Sequence, residues 1–135
     1  MPSGLVPKER SPQFEVTGPA RRDIAAILKR SIREFGPAAS LRYRALIRQA
    51  LVDIEADPER PGSKERPEIM IEVARTYHLQ LSRSRVNGPT IKEPRRFLLY
   101  RRRSDDVLEI ARVLDEARDF QRHLPEDYRS DPAAE

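Results

Sequence analysis

The chain contains no cysteine, which removes disulfides and thiolate metal sites at once. Histidine is nearly as scarce. His78 and His123 fall on different expected elements with no companion at ligand spacing, so no metal is expected. No stretch approaches the roughly 18 apolar residues of a membrane-spanning helix. Residues 1–11 hold Lys8, Glu9 and Arg10 but no apolar run of the exporting kind, so the expected compartment is the cytoplasm. Gly-rich phosphate loops, His-x-x-x-His pairs and Gly-x-Ser-x-Gly elbows are also missing. With 135 residues the chain suits one domain and has no room for a cofactor domain beside a substrate domain. No cofactor is expected.

Charge is abundant and unevenly placed. Residues 1–74 carry 13 basic and 11 acidic side chains. Residues 75–103 carry nine basic groups against Glu93 alone, a net of +8, and residues 104–135 come to −6. A block of that density can concentrate a polyanion or an acidic peptide on one surface. The competing reading is a solvated arginine-rich face, since 22 of the 26 basic residues throughout the chain are arginine.

Residues 1–12 contain three prolines and no periodicity, the pattern of a disordered leader. Phe14-Glu15-Val16 alternates as a short strand. Thr17-Gly18-Pro19 opens a helix over about Pro19–Phe35, with Ile24, Ile27, Leu28 and Phe35 on one stripe. Gly36-Pro37 ends it. A second helix over about 38–56 places Tyr43, Leu46, Ile47, Ala50, Leu51 and Ile54 on one face, and so short a joint makes the pair an antiparallel hairpin. Residues 57–68 read as loop, and Ile69–Ala74 as either a helical turn or the start of a strand. Tyr77, Leu79 and Leu81 alternate with His78 and Gln80 as a strand. A long basic loop around Asn87-Gly88-Pro89 follows. Then come a central strand at Phe97–Tyr100, a turn at Ser104–Asp106, a last strand at Val107–Leu114, and a short amphipathic tail ended by Pro125. The expected fold is therefore α+β: an N-terminal strand, an antiparallel helical hairpin, a three-stranded antiparallel sheet and a short C-terminal tail. The domain spans 13–128, with a frayed end at 129–135.

If the hairpin covers one face of the sheet, the other face presents arginine mixed with apolar groups. Arg75, Tyr77, Arg83, Arg85, Arg95, Arg96, Arg101 and Arg112 are the candidate partner-binding residues, a mix that interface hot spots favour. An acidic, amphipathic segment would satisfy both properties. Alternatively the chain's own acidic tail (Asp115, Glu116, Asp119, Glu126, Asp127) folds back to neutralise that surface. A ribonuclease would need an acid, a base and phosphate-stabilising cations. His78, Tyr100, Arg83 and Arg112 are the candidates for that reading, though a lone surface or half-buried histidine is more often structural than catalytic. The carboxylates Asp53, Glu55, Asp57 and Glu59 read as solvated charges at helical surface spacing.

Phe14-x-Val16-Thr17-x-Pro19-Ala20-x-x-Asp23-Ile24 resembles the N-terminal half of ParE toxins in the RelE/ParE superfamily. So do Phe97-Leu98-Leu99-Tyr100-Arg101 and the run from Val107 through Arg112-Val113-Leu114-Asp115-x-Ala117-Arg118-Asp119-Phe120 to His123-Leu124-Pro125. The resemblance implies a toxin silenced by a small antitoxin, itself similar to ParD-like ribbon-helix-helix DNA-binding proteins with an acidic C-terminal segment, in a toxin–antitoxin hetero-oligomer. It also implies DNA gyrase as target, whereas RelE-like relatives cut mRNA on the ribosome. This chain departs from the ParE pattern in a basic insertion, Arg83–Arg96, and in Asp115 where histidine is frequent. Its acidic tail lacks the basic catalytic cluster of RelE-like chains, which favours the gyrase reading.

Overall fold

The computed structural model describes residues 14–66 and 74–115. The expected leader, most of the ambiguous stretch at Ile69–Ala74 and the tail beyond Asp115 lie outside the described residues. In chain order the elements are β1 (Phe14–Val16), α1 (Gly18–Phe35), α2 (Pro37–Ala56), β2 (Lys64–Glu65), β3 (Arg75–His78), a 3₁₀ segment (Leu79–Arg85), β4 (Phe97–Arg102) and β5 (Leu108–Leu114).

The helical hairpin forms for the local reasons its sequence offers. Thr17 caps α1, its Oγ1 accepting the Ala20 N–H at 3.2 Å, and a proline occupies the first turn. Gly36 closes α1 by donating its N–H to the Ile32 carbonyl and takes φ +91°. No heavy atom lies within 4 Å of a Cβ built there, so backbone conformation alone calls for glycine. Pro37 then starts α2. Ala39, Leu46, Ile47, Ala50, Leu51 and Ile54 of α2 are buried. Phe35 departs from expectation. It belongs to the apolar stripe by spacing, yet it lies at the end of α1 and is 74% exposed.

The sheet has five strands in the order β1-β5-β4-β3-β2, where three antiparallel strands were expected. Two additions make the difference. The two-residue β2 pairs antiparallel with β3, and β1 pairs parallel with β5 (Phe14 with Leu108, Val16 with Ile110). Without β1 the outer edge of β5 would be an open template for another strand. Beyond β1, α1 continues the cover: Thr17 Oγ1 donates to the Ala111 carbonyl at 3.0 Å, and Asp23 accepts the Val113 N–H at 2.9 Å. β3 is also shorter than its alternation suggests. It ends at His78, and the chain turns into the 3₁₀ segment, burying Leu79 and leaving Leu81 exposed.

One apolar layer lies between helices and sheet, where Ile27, Leu46, Ala50 and Ile54 meet Tyr77, Leu79, Leu98, Tyr100, Leu108, Ile110 and Val113. A second cluster, Ala74, Phe97, Leu99, Ala111 and Leu114, occupies the opposite face. A register shift at Leu99/Tyr100 opposite Ile110–Arg112 adds one residue to β5. Burial of both faces explains why β4 reads as a continuous apolar run.

Candidate functional site

The basic block behaves differently in three dimensions from its sequence average, because most of its arginines are engaged within the chain. Arg75 donates Nε to Ser63 Oγ at 2.7 Å and lies 3.6 Å from Glu65. Arg83 donates Nε to the Ile91 carbonyl at 2.6 Å and so braces the loop that follows the 3₁₀ segment. Arg101 pairs with Glu109 at 3.4 Å, and Arg102 with Asp106 at 3.0 Å. Arg103 holds Asp105 at 2.8 Å and also Glu15. Arg112 grips Asp23 through two nitrogens at 2.6 and 2.8 Å, tying β5 to α1. The +8 of residues 75–103 is thus largely spent on structure.

The candidate partner-binding residues do not share one face. Tyr77 corrects the expectation most clearly, since it is buried in the layer under the helices. Arg75 stands on that same side of β3, two residues away. Arg101 stands on the opposite side of the sheet with Glu109, and Arg112 is turned to α1. Arg83 and Arg85 belong to the 3₁₀ segment, and Arg95 and Arg96 to the residues before β4.

The ribonuclease candidates are equally dispersed. Tyr100 is fully buried, donates to the Pro58 carbonyl at 2.7 Å and shares a 2.5 Å hydrogen bond with Ser63. Burial pushes its phenol pKa upward, with Ser63 and Arg75 only partly offsetting that. His78 points to the other side of β3, where its Nδ1 accepts the Gln80 N–H at 3.1 Å and caps the 3₁₀ segment. Among the described residues no group of three His, Asp or Glu side chains could hold a metal ion.

A polar centre that the sequence reading missed anchors the basic loop. Asp53, expected to be a solvated surface charge, is 1% exposed. Its Oδ2 accepts Ser82 Oγ at 2.5 Å, and its Oδ1 accepts Arg85 Nε at 3.0 Å and Gln49 Nε2 at 2.9 Å. Tyr77 shares a further hydrogen bond with Ser82 at 2.9 Å. Burial pushes the Asp53 carboxyl upward, but the hydrogen bonds from Ser82, Gln49 and Arg85 prevail and hold it below the usual value. A signal was present in the spacing: Asp53 falls seven residues after Leu46 and three after Ala50, on the buried stripe of α2.

Braced in this way, the loop faces the tip of the hairpin across a groove of about 1050 Å³. Its apolar lining comes from Ile27, Phe35, Ala39, Tyr43 and Ile91; Arg30, Arg42, Lys92, Arg95 and Arg96 supply cations, which outnumber the carboxylates Glu34, Glu93 and Asp115 on the same rim. The Tyr43 phenol is pushed up by burial while a hydrogen bond from Arg96 pulls the other way. Arg96 also lies 3.9 Å from Asp115. Two members of the sequence-derived set, Arg95 and Arg96, therefore meet here with residues from outside it. The groove can take an extended or helical segment with apolar side chains on one side and carboxylates on the other.

No helix among the described residues is long and apolar enough to cross a membrane. No curated protein and no solved structure matches the chain. The family model described as the ParE toxin of type II toxin-antitoxin system, parDE, matches residues 14–120, and the chain belongs to that family as the toxin half of a type II toxin–antitoxin pair.

Proposed function

We propose that this toxin acts by docking, with DNA gyrase as its target in the cytoplasm, and that it is neutralised by a ParD-like antitoxin in a hetero-oligomeric complex. Membership of the ParE family implies an antitoxin partner. The observation that carries the docking reading is the groove between the hairpin tip and the loop at residues 89–96. Its apolar floor and cationic rim suit an acidic, amphipathic antitoxin segment, with Phe35 and Tyr43 as contact surfaces and Arg42, Lys92, Arg95 and Arg96 meeting carboxylates.

The alternative, cleavage of mRNA in the RelE manner, finds less support in the geometry. His78, Tyr100, Arg83 and Arg112 each make a contact that holds the fold together; Tyr100 and His78 face opposite sides of the sheet, Arg83 lies in the 3₁₀ segment and Arg112 is held by Asp23 of α1. General acid–base chemistry needs such groups within hydrogen-bond reach of one reacting phosphate. Induced expression of the chain, followed in the same cells by DNA-break and mRNA-integrity assays, separates the two readings. Breaks with intact mRNA are expected. Fragmented mRNA, abolished by His78→Ala in a folded protein, would replace docking with ribonuclease action.

A further inference from the structure

Among the described residues, exposed basic side chains outnumber exposed acidic ones on the helical hairpin, whereas elsewhere exposed acids predominate. Residues 18–48 carry eight basic side chains and two acidic ones. Both acids are engaged, Asp23 with Arg112 and Glu34 with Arg30 at 2.9 Å. Arg22, Lys29, Arg33, Arg44 and Arg48 are exposed, and among the described residues they make no hydrogen bond or ion pair. An ordinary solvated face intersperses both signs; here Asp23 is turned to Arg112 and Glu34 is the one exposed acid, already paired with Arg30.

Their placement is regular. Arg22, Lys29 and Arg33 stand at i, i+7 and i+11, which is one straight stripe along the solvent side of α1. Ala25 and Ala26 lie between the first two, so nothing bulky keeps a rigid ligand away. Arg44 and Arg48 form a second, shorter row on α2. Beside this second row runs a mainly apolar groove of about 410 Å³, lined by Phe14, Ile24, Val52 and the buried Leu28, Ile47 and Leu51, whereas the stripe on α1 is without such a groove among the described residues.

We propose that this ridge binds the phosphate backbone of double-stranded DNA without reading sequence, independently of the antitoxin groove. Phosphates need only unpaired cations and close approach. A single-strand reader would need aromatic platforms for unstacked bases, and recognition of RNA uses 2′-hydroxyl contacts. The stripe offers neither aromatic nor uncharged polar side chains.

The test is fluorescence anisotropy of the full chain with a labelled mixed-sequence 30-bp DNA duplex across 25–200 mM KCl. Five phosphate contacts predict a slope of about −4.5 for log affinity against log salt, and a several-hundredfold loss between 50 and 200 mM. Arg22→Ser/Lys29→Ser/Arg33→Ser should flatten the slope to about −2 with an unchanged melting curve, since among the described residues these side chains make no hydrogen bond or ion pair. Arg42→Ser/Lys92→Ser, in the antitoxin groove, should leave the slope as it is. No binding at 25 mM KCl, or an unaltered slope in the triple variant, would overturn the proposal. Poly-glutamate displacing the probe as well as unlabelled duplex would overturn it in favour of an acidic protein partner. An RNA duplex binding tenfold more tightly would overturn the assignment to DNA.

Discussion

Replacing Asp53 with alanine removes the carboxylate that ties α2 to the 3₁₀ segment, and the cost can be built up from its partners. Ser82 and Gln49 each lose a hydrogen bond to a charged acceptor, about 1.5 kcal/mol apiece. Arg85 is 53% exposed in its side chain and returns to water, so its share is below about 1 kcal/mol. The sum, about 3 kcal/mol, corresponds to a fall in Tm of roughly 10 °C for a chain of this size. Asp53→Asn keeps the shape but not the charge and should lose about half as much. The pH dependence carries the sign. Because the folded carboxyl lies below its ordinary value, its stabilisation is fully present above about pH 4 and is lost as pH falls through the folded pKa. The gap between wild type and Asp53→Asn should therefore narrow from pH 7 to pH 3 in scanning calorimetry. An alanine variant melting within about 2 °C of wild type at pH 7, or a gap that widens in acid, would rule out this role for Asp53.

Three further outcomes follow from the same geometry. A double-mutant cycle on Asp23→Ala and Arg112→Ala should return a coupling of about 1–2 kcal/mol by chemical denaturation, because each single change strands the partner of a two-point ion pair. Thr17→Ala should cost about 1–2 kcal/mol, since the hydroxyl both caps α1 and donates to the Ala111 carbonyl; Thr17→Ser should recover most of it. Arg42→Glu/Lys92→Glu should weaken antitoxin binding at least tenfold by calorimetric titration without lowering Tm, whereas Lys8→Glu, in the sequence expected to be leader, should leave affinity alone.

The helices and the central strands were legible because each obeys a short-range rule. Thr17 and Pro19 mark a helix start, Gly36-Pro37 marks a joint, and the stripe from Leu46 to Ile54 has the helical period. Strand β2 was not legible: Lys64-Glu65 has no apolar pattern and exists through pairing with Thr76 and Arg75. Nor was the end of β3. The alternation Tyr77, Leu79, Leu81 is shared by a strand and by the strand-to-3₁₀ turn that the chain adopts, and Ser82 reaching Asp53 favours the turn. The candidate site suffered from a related ambiguity. Summed charge located a basic block at 75–103, but charge summed along sequence cannot tell an arginine facing solvent from one facing Asp23, Asp53 or Glu109. Pairing leaves most of the unengaged cations of the described residues on the helical hairpin, where sequence shows only the polar side of an amphipathic helix.

The central claim is that the toxin arrests cells by docking and not by cutting RNA. The most direct measurement is in vitro: purified chain added to DNA gyrase with relaxed plasmid, and in parallel to translating ribosomes with labelled mRNA. Lost supercoiling or trapped cleaved plasmid, intact mRNA, and restoration of supercoiling by the antitoxin are expected. Undisturbed supercoiling together with cleaved mRNA would contradict that claim.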